Sequence, residues 1–215
     1  LNGLFCDGMV LQRDMPVPVF GMAERGERIT IEIAGQTKRT APDFNGYFKV
    51  LLDPIKAGGP YELKITAKNT ILIKDVLVGE VWLCSGQSNM AMEVQGCLNA
   101  REEIAAANYP QIRQFQVKRG KAATAQDTLI AVTPDQKGLL NAWVPCTPAT
   151  AGSFTGVGYF FAREIHKRLG VPVGLIHSSW GGTTAEAWTC ECIIENTPAL
   201  KSILTDWPKY NNDED

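Results

Sequence analysis

The chain contains little histidine, no excess of positive charge and no long uninterrupted apolar segment. Only two of its 215 residues are histidine, which argues against a histidine-rich metal site. The formal net charge is -2, so no basic face favours nucleic acid or an anionic membrane as a partner. The longest apolar stretch, residues 71–84, is interrupted by Lys74, Asp75 and Glu80, and it therefore predicts no membrane-spanning segment.

The six cysteines do not form a recognisable metal-binding or redox motif. The closest pair, Cys190 and Cys192, has one residue between them, whereas zinc sites and thioredoxin-like motifs use two. Cys84 lies within an apolar run, and we expect it to be a buried small hydrophobic residue rather than a reactive thiol. The sequence leaves the disulfide pairing open.

The first part of the chain, residues 1–75, is typical of short strands separated by turns. Residues 28–34 alternate isoleucine with polar side chains, which predicts a half-buried strand. Asn45-Gly46 is the strongest hairpin signal, and the Ala-Gly-Gly-Pro at 57–60 predicts a further turn. Regular short strands separated by such Gly- and Pro-containing turns predict a small β-sandwich domain over residues 1–75.

From residue 76 to residue 215 the pattern changes to alternating strands and helices. We predict strands at 77–84, 111–117 and 173–176, and helices at 100–108 and 156–169. This alternation indicates an α/β domain with a parallel sheet covered by helices on both faces. Residues 118–150 have weak periodicity and are predicted to be mostly loop.

The predicted helix at 156–169 is amphipathic. Val157, Phe161, Ile165 and Leu169 recur at every fourth position, with Phe160 beside them, and predict its apolar face.

A candidate nucleophile follows the predicted strand at 77–84. Ser85 and Gly86 end this strand, and Gly86 can adopt the positive φ of a tight turn. Ser88 then lies just beyond the carboxyl end of a strand, where open α/β sheets bind ligands. The same residues also fit an ordinary Ser/Asn-rich turn, and Met90 stands where the nucleophile elbow of the α/β-hydrolases needs glycine.

A second informative stretch, SSWGGTT at 178–184, also follows a predicted buried strand. If both strands are parallel, it emerges at the same sheet edge as Ser88. Gly181-Gly182 can present unhindered backbone N–H groups, as an oxyanion hole requires. Taken alone, such a glycine pair is equally a flexible turn.

Several segments together resemble the amino-terminal part of the sialate O-acetylesterases, a group of carbohydrate esterases among the SGNH hydrolases. They are, in order, LFCDGMVLQRDMPVPVFGMA, AGGPYELKI, VWLCSGQSNM, GVGYFFAREIHKRL and PVGLIHSSWGGTTAEAW, and they span about residues 3–190. The resemblance implies an SGNH-hydrolase-like, flavodoxin-like parallel sheet preceded by the β-sandwich. It also implies a serine esterase that removes O-acetyl groups from sugars, with 9-O-acetyl sialic acid as the expected substrate and no metal or organic cofactor.

The resemblance assigns roles to four residues near the two motifs. Ser88 is the expected nucleophile, and its backbone N–H and that of Gly182 are the expected oxyanion-hole donors. Gln87 and Asn89, which flank Ser88, are expected to bind substrate. A third donor of the family, an amide in a later block, has no counterpart in this sequence.

The general base of the family is also missing. The family supplies it from an Asp-x-His or Asp-x-x-His near the carboxyl end, and neither pattern occurs here. We expect His166, in the run REIHKR, to be solvated, and His177, beside SSWGG, to be structural rather than the base. We therefore expect the chain to be the amino-terminal portion of a longer enzyme, ending in an exposed acidic loop at 211–215, with the carboxyl-terminal part as its partner.

Two other functions stay open at this stage. The substrate of the esterase could instead be an acetylated plant polysaccharide such as xylan. The chain could also be a non-catalytic carbohydrate-binding protein, for which a β-sandwich and exposed tryptophans suffice. Because acetylated glycans lie outside the cytoplasm, we expect a secreted, periplasmic or lysosomal protein whose signal peptide is not part of this chain.

Overall fold

The strands form one large mixed sheet and one small sheet in a computed structural model that describes residues 1–120, 126, 128–133, 135 and 140–210. The strands are β1 Val10–Gln12, β2 Val17–Met22, β3 Ile29–Ile33, β4 Gln36–Thr40, β5 Tyr47–Leu52, β6 Gly58–Thr66, β7 Thr70–Gly86, β8 Tyr109–Gln116, β9 Trp143–Cys146 and β10 Val173–Ser179. The helices are α1 Ser88–Ala91, α2 Ala100–Ala106, α3 Gly156–Leu169, α4 Glu191–Asn196 and α5 Lys201–Tyr210. Short 3-10 helices lie at Val94–Gly96, Ala151–Ser153, Ala185–Trp188 and Pro198–Leu200. The predicted loop at 211–215 lies outside the described residues.

The large sheet has its strands in the order β4-β3-β6-β7-β10-β8-β9, with β1 also paired to β7. The strands of its amino-terminal side, including the β6–β7 pair, are antiparallel. The β1–β7, β7–β10 and β10–β8 pairs are parallel. The predicted α/β class with a parallel central region is thereby confirmed.

Strand β7 joins the two parts of the large sheet. It runs without a break for 17 residues, Thr70–Gly86, so the predicted domain boundary at residue 75 lies inside a strand. The sheet formed by β2 and β5 buries its apolar side chains in the same core as β3, β6 and β7; examples are Val19, Phe48, Ile31 and Leu63. The division into two domains and the β-sandwich stay predictions.

A second core lies between the parallel strands and helix α3. It contains Cys84 of β7, Leu175 of β10 and, from α3, Tyr159 and Ala162. Helix α3 begins and ends at the predicted residues. Gly170 ends it in the left-handed region at φ 65°, where glycine is unstrained, and donates its N–H to the carbonyl of His166.

The predicted apolar face of α3 is wrong in large part. Val157, Phe161 and Leu169 are 49%, 40% and 50% exposed, whereas the small residues Gly158 and Ala162 are buried. The reason is the close approach of the helix to the sheet: a Cβ at Gly158 would lie 3.0 Å from the Sγ of Cys84. Larger side chains would not fit at positions 158 and 162, and the large side chain that α3 does bury is Tyr159, which lies between them in sequence.

Two turn predictions also need correction. The hairpin signal Asn45-Gly46 precedes β5, but β5 pairs with β2 and not with β4, so no hairpin forms there. Strand β6 begins at Gly58, inside the turn predicted at 57–60. Residues 118–150, parts of which are outside the described residues, are mostly loop as predicted and contain the short strand β9. In each case pairing with a sequence-distant strand decides the structure, and local signals do not carry that information.

No helix within the described residues is long and apolar enough to cross a bilayer.

Candidate active site

Ser88 lies where the sequence predicts it, immediately beyond the carboxyl end of a parallel strand. Strand β7 ends at Gly86, which has φ 128°, and Ser88 is the first residue of the short helix α1. Glycine adopts this positive φ readily, and Ser88 is exposed. An exposed hydroxyl at the carboxyl edge of the sheet is accessible to a substrate.

The SSWGGTT segment emerges beside Ser88, as predicted. Because β10 is parallel to β7, Ser178 lies opposite Ser85 and Ser179 lies opposite Gly86. The N–H of Trp180 then donates to the carbonyl of Gly86 at 2.9 Å. This bond continues the pairing past the last residue of β10 and brings the following glycines to the nucleophile turn.

The glycine pair contacts Ser88 through Gly181. A Cβ built on Gly181 would lie 3.4 Å from the Cα and from the Cβ of Ser88, and 3.7 Å from its nitrogen. Gly182 has φ +82° and open space around the position of its Cβ. Gly181 therefore adds no side chain beside Ser88. The donor role of the Gly182 N–H stays a prediction.

Gln87 and Asn89 flank Ser88 at the surface. Both are exposed, and Gln87 stands at the N-cap of α1 without a side-chain capping bond. Within the described residues, the side chains of Gln87, Ser88 and Asn89 make no hydrogen bond. Their roles toward substrate stay predictions.

Thr155 fixes the turn that carries Ser88, a role that the sequence analysis missed. This fully buried residue stands at the N-cap of α3, yet its hydroxyl donates to the carbonyl of Met90 at 2.6 Å instead of capping its own helix. The next residue, Gly156, donates its N–H to the carbonyl of Met92 at 2.8 Å. Helix α1 is thereby held against the start of α3. A threonine before a helix indicates only an N-cap, so no local signal could reveal this contact.

His177 is a buried partner of Ser179. Its side chain is 2% exposed, and its Nε2 lies 2.6 Å from the Oγ of Ser179. Burial lowers the pKa of His177 to about 4, and the positive charge of Arg119 acts in the same direction. The imidazole is therefore neutral at neutral pH, and its hydrogen bond goes to Ser179 and not to Ser88. This agrees with the structural interpretation of His177.

His166 lies at the end of α3 and does not contact Ser88. Its Nδ1–H donates to the carbonyl of Val171 at 2.7 Å, and the ring packs edge-on near Tyr109, with ring centroids 6.2 Å apart. The expectation that it is solvated is wrong, because the residue is half-buried. Both histidines of the chain thus have structural partners.

All six cysteines are free thiols. Cys84 is buried beneath α3, and burial raises its pKa to about 11, so the thiol is protonated and unreactive at neutral pH. The expectation that Cys84 is a buried small hydrophobic residue is confirmed.

Comparison with known proteins places this arrangement in a family. The family model for a carbohydrate esterase, sialic acid-specific acetylesterase, matches residues 78–206, more than half of the chain and both motifs. The chain belongs to this family. The predicted resemblance is confirmed.

Relatives of the chain are considerably longer than the chain itself. Mouse sialate O-acetylesterase is 33% identical over 212 residues, which cover 88% of this chain and 38% of the mouse protein. Human sialate O-acetylesterase is 33% identical over 199 residues, covering 84% of this chain and 37% of the human protein. The chain thus spans about two fifths of the length of these relatives.

A solved structure supports the fold. The crystal structure of a carbohydrate acetylesterase from Xanthomonas citri superimposes with a TM-score of 0.83 at 38% identity. The match covers 92% of this chain and 44% of the Xanthomonas protein. The SGNH-hydrolase-like α/β fold predicted from the motifs is confirmed.

Proposed function

We propose that this chain carries the nucleophile half of a serine esterase that removes O-acetyl groups from sugars. The observation that supports the proposal most directly is the contact between the two motifs. Ser88 is exposed beyond the end of β7, and Gly181 leaves space next to its Cβ. A nucleophilic hydroxyl beside unhindered backbone N–H groups is the arrangement that acyl transfer requires.

In the proposed reaction the Oγ of Ser88 attacks the carbonyl carbon of the acetyl ester while a general base takes its proton. The negative charge that develops on the carbonyl oxygen is stabilised by the N–H groups of Ser88 and Gly182. Collapse of this intermediate breaks the bond to the sugar oxygen, which receives the proton from the base. Water then attacks the acetyl-serine, the base again takes a proton, and acetate leaves as Ser88 is restored.

The base and its orienting acid are proposed to come from a carboxyl-terminal part of the protein. Within the described residues neither histidine contacts Ser88, since His177 bonds to Ser179 and His166 to Val171. The relatives extend well beyond the length of this chain. A histidine and an aspartate from that additional length would complete the site.

The proposed substrate is an O-acetylated sugar, specifically 9-O-acetyl sialic acid. The family description and the names of the mammalian relatives support sialic acid. The name of the Xanthomonas protein supports a carbohydrate acetylesterase in a broader sense. A substrate of this kind favours a secreted, periplasmic or lysosomal location.

The test uses the full-length enzyme with the substitution Ser88→Ala and, as the matched control, Ser85→Ala in the same motif. We expect S88A to lower the rate of acetate release from O-acetyl sialic acid by at least ~10³-fold, because the covalent step is lost. A fluorophosphonate probe should label the parent and S85A at Ser88, and should not label S88A. Full activity of S88A would refute the proposal, and sugar binding without any labelling would indicate a carbohydrate-binding protein instead.

A further inference from the structure

A cavity of about 270 Å³ opens next to the glycine pair. Its lining includes Lys118 and Arg119 after β8, Ser179 and Trp180 at the end of β10, and Trp188. None of its lining residues within the described chain is acidic. The proposed reaction uses only the space around Ser88 and leaves this cavity without a role.

The cavity lies at the same carboxyl edge of the sheet as Ser88. Its wall residue Ser179 is paired with Gly86, two residues before Ser88, and Trp180 immediately precedes Gly181. The chain therefore passes from the cavity wall at Trp180 to the glycine that contacts Ser88 within one residue. The volume suits part of a small molecule, not a protein segment.

Arg119 is the principal charge of the cavity. Its Nε–H donates to the carbonyl of Ser179 at 2.8 Å, which fixes the guanidinium against the wall. This bond uses one of the five N–H donors of the group. Within the described residues Arg119 takes part in no ion pair. Lys118 differs, because its Nζ donates to the carbonyl of Ala131 at 2.6 Å.

The two tryptophans are held in place by one hydroxyl. The Nε1–H of Trp188 donates to the Oγ1 of Thr183 at 2.7 Å, and that hydroxyl donates to the carbonyl of Trp180 at 2.7 Å. Trp188 remains 36% exposed. A fixed indole beside a planar cation offers an apolar surface for a sugar ring and donors for an anionic substituent.

We infer that this cavity binds the carboxylate of an acidic sugar whose acetyl ester lies at Ser88, with Arg119 as the carboxylate-binding residue and Trp188 against the ring. The inference rests on the proposed function, since it takes the acetyl group to be at Ser88. It makes Arg119 a specificity residue: it selects acidic over neutral sugar esters and takes no part in the acyl transfer.

The experiment compares two substrates that differ in the charge of the carboxyl group, O-acetyl sialic acid and its carboxyl methyl ester, on the full-length enzyme. A hydrogen bond to a charged group contributes about 1.5–3 kcal/mol, so we expect Arg119→Gln to raise KM for the acid by ~10- to 100-fold. KM for the methyl ester and kcat for both substrates should change less than ~3-fold. Arg119→Lys should recover part of the loss. Arg39→Gln, at an exposed position on β4, should leave KM and kcat unchanged for both substrates.

Two results would overturn the inference: equal KM values of the parent enzyme for the acid and its methyl ester, or an equal effect of R119Q on both. Failure of the proposed function looks different, because the parent would then hydrolyse neither substrate or S88A would retain activity. In that case the cavity assignment is tested by calorimetric measurement of the binding of unacetylated sialic acid. Binding by the parent that R119Q abolishes supports the cavity assignment, and binding that R119Q leaves unchanged refutes it.

Discussion

The Cα of Gly181 lies so close to Ser88 that a Cβ at position 181 would be 3.4 Å from both the Cα and the Cβ of the serine. Alanine would fit there in tight contact, whereas the two γ-methyl groups of valine would extend into the space beside Ser88. We expect Gly181→Val to lower kcat/KM for acetyl esters by ~10²-fold, the effect of a displacement of about 1 Å at a reacting group. Steady-state kinetics on the full-length enzyme measure this loss.

Ala185→Val, at an exposed position later in the same segment, is the control for G181V and should leave kcat/KM unchanged. Thermal unfolding should show both variants folded, because position 181 is only half-buried. Parent-like kinetics of G181V would show that the space beside Ser88 is not where the acyl group lies.

Gly182 is expected to matter through its backbone. It has φ +82° with open space around its Cβ position, so an alanine there is strained although nothing obstructs it. Gly35, in the turn between β3 and β4, has φ +78° and equally open space. Gly182→Ala and Gly35→Ala should therefore each cost about 1 kcal/mol of unfolding free energy.

The two alanine variants should differ only in catalysis. If the Gly182 N–H binds the oxyanion, strain at this residue misaligns it, and kcat should fall ~10-fold or more, up to the ~10²–10³ of a lost donor. G35A should keep the kcat of the parent enzyme. Urea unfolding and kcat measured on the same preparations separate the two effects, and equal kcat values would remove Gly182 from the proposed oxyanion hole.

The sequence predicts a local element well where burial of one face of that element sets the alternation of apolar and polar residues. The alternation of Ile29, Ile31 and Ile33 predicts a half-buried strand, and all three are buried in β3. The position of Ser88 after β7 could also be predicted, because an apolar run followed by glycine marks the end of a strand. These features depend on residues close together in the chain.

Tertiary contacts account for what could not be predicted. The periodicity of α3 gives the spacing of its large apolar residues but not the distance to the sheet, and that distance places Gly158 and Ala162 inside. The bond from Thr155 to Met90 and the cavity contact from Arg119 to Ser179 each join residues about sixty positions apart. Within one sequence, no local pattern indicates such pairs.

His177 should make stability depend on pH. The unfolded chain protonates this residue below about pH 6.5, whereas burial keeps it neutral in the folded protein down to about pH 4. Between these values the unfolded state binds more protons, so the free energy of unfolding falls as the pH falls from about 6.5 to about 4. The shift corresponds to roughly 3 kcal/mol.

Urea unfolding at several pH values between 4 and 7 measures this dependence. His177→Gln removes the titrating group. The free energy of unfolding of this variant should therefore fall less steeply between pH 6.5 and pH 4 than that of the parent, even if the substitution changes stability at every pH. The parent protein measured in the same series is the reference, because its carboxyl groups are also those of the variant. Parallel profiles for H177Q and the parent would contradict the assignment of a buried neutral imidazole.

The free edge of β7 marks where the proposed carboxyl-terminal part should attach. Strand β1 pairs with β7 only from Leu77 to Gly79, and beyond that point no strand within the described residues covers this edge. The N–H of Val81 points to the uncovered side, since it donates to the side chain of Gln12. Alternate residues of a strand point the same way, so the N–H groups of Leu83 and Ser85 do too.

Apolar side chains accompany this uncovered backbone. Trp82 and Leu83 are 43% and 66% exposed, and Phe161 of α3 packs edge-on against Trp82 with ring centroids 4.9 Å apart. An uncovered parallel edge with exposed apolar residues is a site for adding another strand, because burial of both the backbone groups and the side chains is favourable. We expect the carboxyl-terminal part to supply that strand.

Amide hydrogen exchange tests this attachment on residues 1–215 alone and on the full-length enzyme. The amides of Leu83 and Ser85 should exchange quickly in the isolated chain and become protected in the full-length protein. Those of Trp82 and Cys84, which face β10, should be protected in both.

The isolated chain should also lack esterase activity, because the base is absent, and regain it when the carboxyl-terminal part is added. Fast exchange at Leu83 and Ser85 in the full-length enzyme would place the carboxyl-terminal part elsewhere, and full activity of the isolated chain would show that the base lies within residues 1–215.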